Sequence, residues 1–365
     1  MREQGMRAVG WFMPAEWCRH AATWMVWPHN KALWENGWGV TLPQVQQDFA
    51  RVVNAIARFE PVNLVVDPAA QAEARALCGD GVRFIPLPVD DSWCRDSGPT
   101  FICHPELGTA GISWRFNAWG GKSAHGLDEG LARRVLNSLE LECIGSFLAN
   151  EGGAIHVDGE GTLITTESVL LNSNRNPGMT KVEIERIFSR LLGIEKTIWL
   201  PGDPDHVTGD MTDGHVDGVC AFSRPGHLLV DATLDGHSTY GHLLVDATLD
   251  GHSTYGRVVR ENRRALALAT DARGRSFECL ELFEASEAVD AEAEVFCASY
   301  TNFYIANGAI IMPAYGVGAD EAAGEVLRRA FPNRQLVPVR INQLAHGGGG
   351  IHCITQQQPA WPVQG

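Results

Sequence analysis

Apolar positions along the 365-residue chain recur at two alternating periods. Stretches with the 3.6-residue period of a helix fall near 43–59, 126–139, 180–192, 257–270 and 319–331. Thr180 with Glu183 forms a capping box, which marks the start of the third. A short apolar run follows each stretch and predicts a strand: Val62–Val66, Ser146–Leu148, Thr197–Leu200, Phe277–Leu280 and Leu336–Val339. Most of these lead into a hairpin of two apolar runs around a Gly- or Asp-rich turn. The pairs are Thr100–Cys103 with Gly111–Phe116, Ala154–Val157 with Thr162–Thr166, Val216–Phe222 with His227–Val230, and Phe303–Ile305 with Ile310–Met312. A fifth run, Ile351–Thr355, has no partner after it, and Thr23–Trp27 is expected to supply one by closing the chain on itself. The first unit holds an extra helix near 69–78 and a strand at Arg83–Ile85. Five units of helix, strand and hairpin predict a pseudo-fivefold α/β propeller. It would be a single domain over 1–365, with helices outside and a central site.

One segment does not belong to that pattern. Residues 226–240 read GHLLVDATLDGHSTY, and 241–255 repeat it letter for letter. Fold-building repeats drift and recur three or more times. Two perfect copies read instead as a recent duplication or an artefact of the sequence, in a domain of about 350 residues. The first copy is expected to keep the strand of the third hairpin, and the second to bulge out near the mouth of the site.

Charge and cysteine usage narrow the function classes. Lys and Arg number 29 against 44 Asp and Glu, a formal charge of −15. Proteins that grip phosphate backbones carry a basic face, so nucleic acid is not an expected partner. A small cationic substrate is compatible. The nine cysteines are odd in number and form no C-x-x-C pair, which indicates neither a disulfide framework nor a zinc ribbon. A reducing, cytoplasmic setting is expected. No signal-peptide core and no apolar run of membrane-spanning length is present, so no membrane association is expected. A homodimer is the ordinary prior for such a chain.

The unusual polar residues enter the hairpins at equivalent ends. Trp93-Cys94-Arg95-Asp96-Ser97-Gly98-Pro99 enters the first, Glu151-Gly152-Gly153 the second, and Asp213-Gly214-His215-Val216-Asp217-Gly218 the third. Asn302 enters the fourth. Gly347 to Gly350, then Ile351-His352-Cys353, enters the fifth. In a ring, equivalent ends converge, so Asp96, Glu151, His215, Asp217 and Cys353 would share one pocket. Ordinary readings stand beside this one. Asp96 with Arg95 suits a surface ion pair, Glu151 a solvated turn, and Cys353 an inert thiol. His215 and Asp217 are two apart, so on a strand they would share a face. The glycines ending at Gly350 suit a close approach of backbone to a ligand. His352 adjoins Cys353, but strand neighbours face opposite ways, which makes it a poorer base than His215. A Cys/His/Asp set also suits zinc, although H-x-D lacks helical metal spacing and two carboxylates with Cys and His fit metal-free chemistry better.

The segments WCRDSGPTF, EGGAIHVDGEGTLITTESVLLNSNRNPG, TDGHVDG, SYTNFYIANGAIIMP and GGGGIHCITQQQP resemble the agmatine deiminase (agmatine iminohydrolase) family. That family sits in the guanidino-modifying, or pentein, superfamily with bacterial-type peptidylarginine deiminases. The opening MPAEWCRHAATWMVWPHN is similar too, and the resemblance spans about residues 11 to 359. It implies a five-bladed α/β propeller that converts agmatine to N-carbamoylputrescine and ammonia, without metal or organic cofactor, in putrescine and polyamine biosynthesis. It implies that Cys353 is the nucleophile, His215 the general acid and base, and Glu151 the support of that histidine. Asp96 and Asp217 would hold the guanidinium. Trp93 and Trp119 are candidate walls for the substrate's distal amine. A deiminase of free or peptidyl arginine, and a non-catalytic protein of the same fold, are the alternatives.

Overall fold

The computed structural model describes residues 10–206, 209–233, 254–289 and 295–363, the side chains of 254 and 255 excepted. Its strands form five small sheets of one design among the described residues. In each, an antiparallel pair is extended by a parallel strand. Thr100–His104, Gly108–Ser113 and Glu142–Gly145 make one sheet. Ile155–Val157, Thr162–Thr166 and Lys196–Leu200 make the next. Cys220–Arg224, His227–Asp231 and Glu278–Leu282 follow, then Tyr304–Ala306, Ala309–Ala314 and Gln335–Arg340. The remaining sheet takes Thr355–Pro359 from the C-terminal end and pairs it antiparallel with His20–Val26. Val62–Val66 and Val82–Pro86 add to it in parallel. First and last strands therefore meet in one sheet, as the pattern requires of a pseudo-fivefold α/β propeller.

A parallel neighbour needs a crossover, and one amphipathic helix supplies it in each unit. These are Leu42–Ile56, Leu131–Ser138, Lys181–Leu192, Thr254–Leu268 and Ala319–Ala330. Lys181–Leu192 shows why they sit where the periodicity places them. Thr180 and Glu183 form the predicted capping box, and Gly193 ends the helix at φ 68°. Its Ile184 and Phe188 pack with Ile155 and Leu163 of one sheet and Ile102 and Ile112 of its neighbour. The apolar stripe of each crossover helix thus helps to seal a sheet.

Three elements differ from expectation. The strand expected at Ser146–Leu148 lies at Glu142–Gly145, where pairing of Ala110 with Glu142 sets the register. Leu148 is buried but follows the strand, and its carbonyl accepts Arg115 N–H. The strand expected at Ile351–Thr355 begins where that range ends, because residues 351–354 turn. The strand itself, Thr-Gln-Gln-Gln-Pro, hid behind polar residues: Gln358 accepts Trp24 Nε1–H, and Gln357 accepts from Arg95. The third hairpin starts at Cys220, after a single 3-10 turn at Val216–Gly218. The leading residues of the first 15-residue copy occupy the expected strand, His227–Asp231. The expectation that the second copy bulges out lies outside the described residues.

Candidate active site

The entrances of the units meet around Gly153. A β-carbon there would lie 2.6 Å from His215 Nδ1, 3.0 Å from Asp217 Oδ2 and 3.1 Å from Asp96 Oδ1. Only glycine leaves those three polar groups room to converge. Asp96 rides on the helical turn Cys94–Ser97. Its Oδ1 accepts Gly153 N–H at 3.0 Å, and its Oδ2 accepts Trp119 Nε1–H at 2.9 Å. Trp119 therefore steadies a site carboxylate as well as bordering it. Ala118 and Trp119 both hold left-handed backbone, at φ 51° and 55°. Such strain in non-glycine residues persists only where surrounding structure enforces it.

His215 and Asp217 do come together, but not through strand alternation. His215 caps the 3-10 turn that carries Asp217. The imidazole lies between two carboxylates, with Nε2 at 3.5 Å from Glu151 Oε2 and Nδ1 at 3.8 Å from Asp96 Oδ1. Burial alone would lower its pKa; Asp96, then Glu151 and Asp217, outweigh burial and hold it up at about 9. Glu151 in turn leans on Arg175, whose Nε donates to Glu151 Oε1 at 2.8 Å. Against its burial, that guanidinium and His215 keep Glu151 below the usual carboxylate range. Arg175 also donates to Asp213 Oδ2 at 2.6 Å, and Lys122 reaches Asp213 Oδ1 at 2.7 Å.

Cys353 lies in the turn before the last strand, with Sγ 3.7 Å from Asp217 Oδ2. Its N–H donates to Asn302 Oδ1 at 3.3 Å. Burial, then the charges of Asp217 and Asp96, push its thiol well above the ordinary range. The glycine run does bring backbone close, though to other side chains of the site. A β-carbon on Gly350 would lie 2.6 Å from Asn302 Oδ1; one on Gly349 would meet Trp93 at 2.4 Å and the Cys353 Cβ at 3.1 Å. Trp93 is buried against that run, with Trp34 and Trp38 as aromatic neighbours.

Reasoning from sequence missed Arg175, Arg95 and Glu16, and misjudged His352. Glu16, His156 and His352 offer donor atoms within 4.8 Å of one another. Arg95 Nη1 stands 3.3 Å from Glu16 Oε1, a fixed positive charge where a metal ion would need to bind. No spacing in the sequence announces these partners; Arg95 to Gln357 alone spans 262 positions.

Known proteins resemble the chain over nearly its whole length. The Porphyromonas-type peptidyl-arginine deiminase family profile matches residues 12–359. The agmatine deiminase of Pseudomonas aeruginosa (strain LESB58) is 40% identical, over 97% of each sequence. A solved agmatine deiminase of Enterococcus faecalis superposes with a TM-score of 0.83 at 30% identity, over 96% of each chain. DDAH from Pseudomonas aeruginosa, at 13% identity and a TM-score of 0.51 over 93% of this chain and 99% of that one, shares the fold alone.

Proposed function

The chain belongs to the Porphyromonas-type peptidyl-arginine deiminase family, and from that membership we propose that it hydrolyses agmatine to N-carbamoylputrescine and ammonia. The convergence of Asp96, His215 and Asp217 on Gly153, beside Cys353, carries this reading. A guanidinium is planar and cationic, and two carboxylates can take its N–H groups while presenting its central carbon. Asp96 and Asp217 fill that role. Two arginines at the site, Arg95 and Arg175, are tied to Glu16 and to Glu151 with Asp213. Neither is free to receive an α-carboxylate, which favours agmatine over arginine.

The bound cation lowers the cost of ionising Cys353, whose proton passes to solvent. The thiolate adds to the guanidinium carbon and forms a C–S bond. Imidazolium His215 gives its proton to one amino nitrogen, the C–N bond breaks, and ammonia leaves. The now neutral His215 takes a proton from water, hydroxide adds to the amidino-thioether carbon, and the C–S bond breaks. The ureido product and the thiolate separate, and the hydroxyl proton passes to solvent, where the ammonia released earlier takes it up. Glu151 and Asp96 flank the imidazole through both proton transfers.

The pathway assignment is putrescine and polyamine formation, the partner a small guanidinium cation, and no cofactor enters any step. We place the protein in the cytoplasm and propose a homodimer, the commonest assembly of soluble enzymes. The nine cysteines are all free thiols, which supports a reducing compartment. Among the described residues no helix is long and apolar enough to cross a membrane.

Ammonia release from agmatine, arginine and arginyl peptides tests the substrate. Higher kcat/KM with arginine would overturn agmatine as the substrate. Mass spectrometry of a quenched reaction should find an amidino adduct on Cys353, and Cys353→Ser should abolish turnover.

A further inference from the structure

His352 sits between the reactive centre and a buried carboxylate that no step above uses. Its Nδ1 lies 2.8 Å from Asp217 Oδ2, the oxygen that also faces Cys353 Sγ. Its Nε2 lies 2.9 Å from Glu16 Oε1. The residue is only 2% exposed, so water does not compete for either nitrogen. An ionised carboxylate only accepts hydrogen bonds, and a neutral imidazole has a single N–H to give. Both contacts are satisfied together only by the imidazolium.

The other groups facing this ring divide in their effect. Arg95, from the turn Cys94–Ser97, donates to the His352 carbonyl at 3.2 Å and stands beside Glu16, so its charge opposes the proton. His156, from the strand Ile155–Val157, stacks on the ring at 6.0 Å and 15°. Burial holds His156 down at about 4, so it is neutral and adds no charge of its own. Burial and Arg95 work against the His352 proton, while Glu16 and Asp217 more than compensate and raise its pKa. Asp217, against its own burial, is held below the usual carboxylate range mainly by His352.

We propose that His352 is a positioning residue: an imidazolium clamped by Glu16, it fixes the Asp217 carboxylate and supplies the charge that lets Cys353 ionise beside it. The thiol faces Asp217 Oδ2, so an uncompensated Asp217 would resist formation of a thiolate. His352 neutralises that oxygen and leaves the other for a guanidinium N–H. Glu16 acts at one remove, by holding the proton on His352.

The proposal rests on Cys353 as nucleophile, and the two can fail separately. In the full-length enzyme, His352→Gln keeps a donor but loses the charge, and Glu16→Gln weakens the hold on the proton. Two readouts apply: steady-state kinetics with agmatine, and the pH dependence of Cys353 alkylation by iodoacetamide, followed by mass spectrometry. H352Q is expected to raise KM about tenfold, the scale of one hydrogen bond to a charged group. Its alkylation midpoint should move to higher pH, which a packing role alone would not cause. E16Q is expected to match the parent at low pH and to lose kcat/KM at a lower pH than the parent does, as His352 gives up its proton sooner. If H352Q does not fold, E16Q carries the same test through its pH profile. Folded variants with parental KM and parental alkylation midpoint would overturn the proposal. Turnover by C353S would instead remove the nucleophile assignment.

Discussion

Arg175 offers the sharpest test of how the site is held together. Its side chain is fully buried, and its guanidinium joins Glu151, from the entrance to the second unit, to Asp213, ahead of His215. Arg175→Met keeps much of the volume and removes the charge. Asp213 retains Lys122 at 2.7 Å and Asn174 Nδ2–H at 3.0 Å. Among the described residues Glu151 retains His215 alone, at 3.5 Å. Breaking one side of a buried ion pair costs about 3–5 kcal/mol. The loss should depend on pH in a definite sense. In the parent, Glu151 is held below its unfolded pKa, so its contribution is present above about pH 4.3 and is lost as pH falls through the folded value. Without Arg175, burial dominates and the folded value rises above the unfolded one. The variant's charged Glu151 then opposes folding, and the deficit grows as pH climbs above about 4.3. Every tenfold preference of the folded state for the protonated form changes the deficit by about 1.4 kcal/mol. Urea unfolding of parent and variant at pH 5 and pH 8 measures it. The deficit should reach roughly 3 kcal/mol or more at pH 8 and be clearly smaller at pH 5. Equal deficits at both pH values, or one below about 1 kcal/mol, would refute the account of Glu151 as an anion kept charged by Arg175.

Other perturbations separate geometry from charge. Trp119→Phe removes the N–H donated to Asp96 Oδ2. Burial already raises the Asp96 carboxyl, so KM for agmatine should rise about tenfold, and further at pH 6 than at pH 8. Gly153→Ala places a methyl 2.6 Å from His215 Nδ1. It should lower kcat/KM by about 100-fold or more while the circular dichroism spectrum stays parental. Deleting one 15-residue copy leaves 350 residues whichever copy is removed. That protein should keep its melting temperature within a few degrees and its kcat/KM within about twofold, since the five-unit pattern calls for one copy only.

The parts of this protein legible in its sequence are those that local chemistry determines. Thr180 and Glu183 cap a helix three residues apart, and that helix begins where they predict. The hairpin entrances carried the side chains that converge on Gly153, because a ring brings equivalent ends together whatever their separation. Elements whose side chains are satisfied at long range escaped. The last strand reads Thr-Gln-Gln-Gln-Pro, which has no hydrophobic signature. Arg95 meets Gln357, and Trp24 meets Gln358, from far along the chain. His352 shows the same limit from the other side. Strand alternation would turn it away from Cys353, and that rule holds only where the backbone is extended. Residues 351–354 are a turn, so both side chains reach the same oxygen of Asp217. A turn at Cys353 is what the four preceding glycines permit: Gly348 takes φ 79°, and Gly349 and Gly350 let Trp93 and Asn302 close against the chain. The glycine run therefore carried more information than the period-two rule beside it. It marked a backbone bent to bring neighbours onto one target: Cys353 and His352, adjacent in sequence, both reach Asp217 Oδ2.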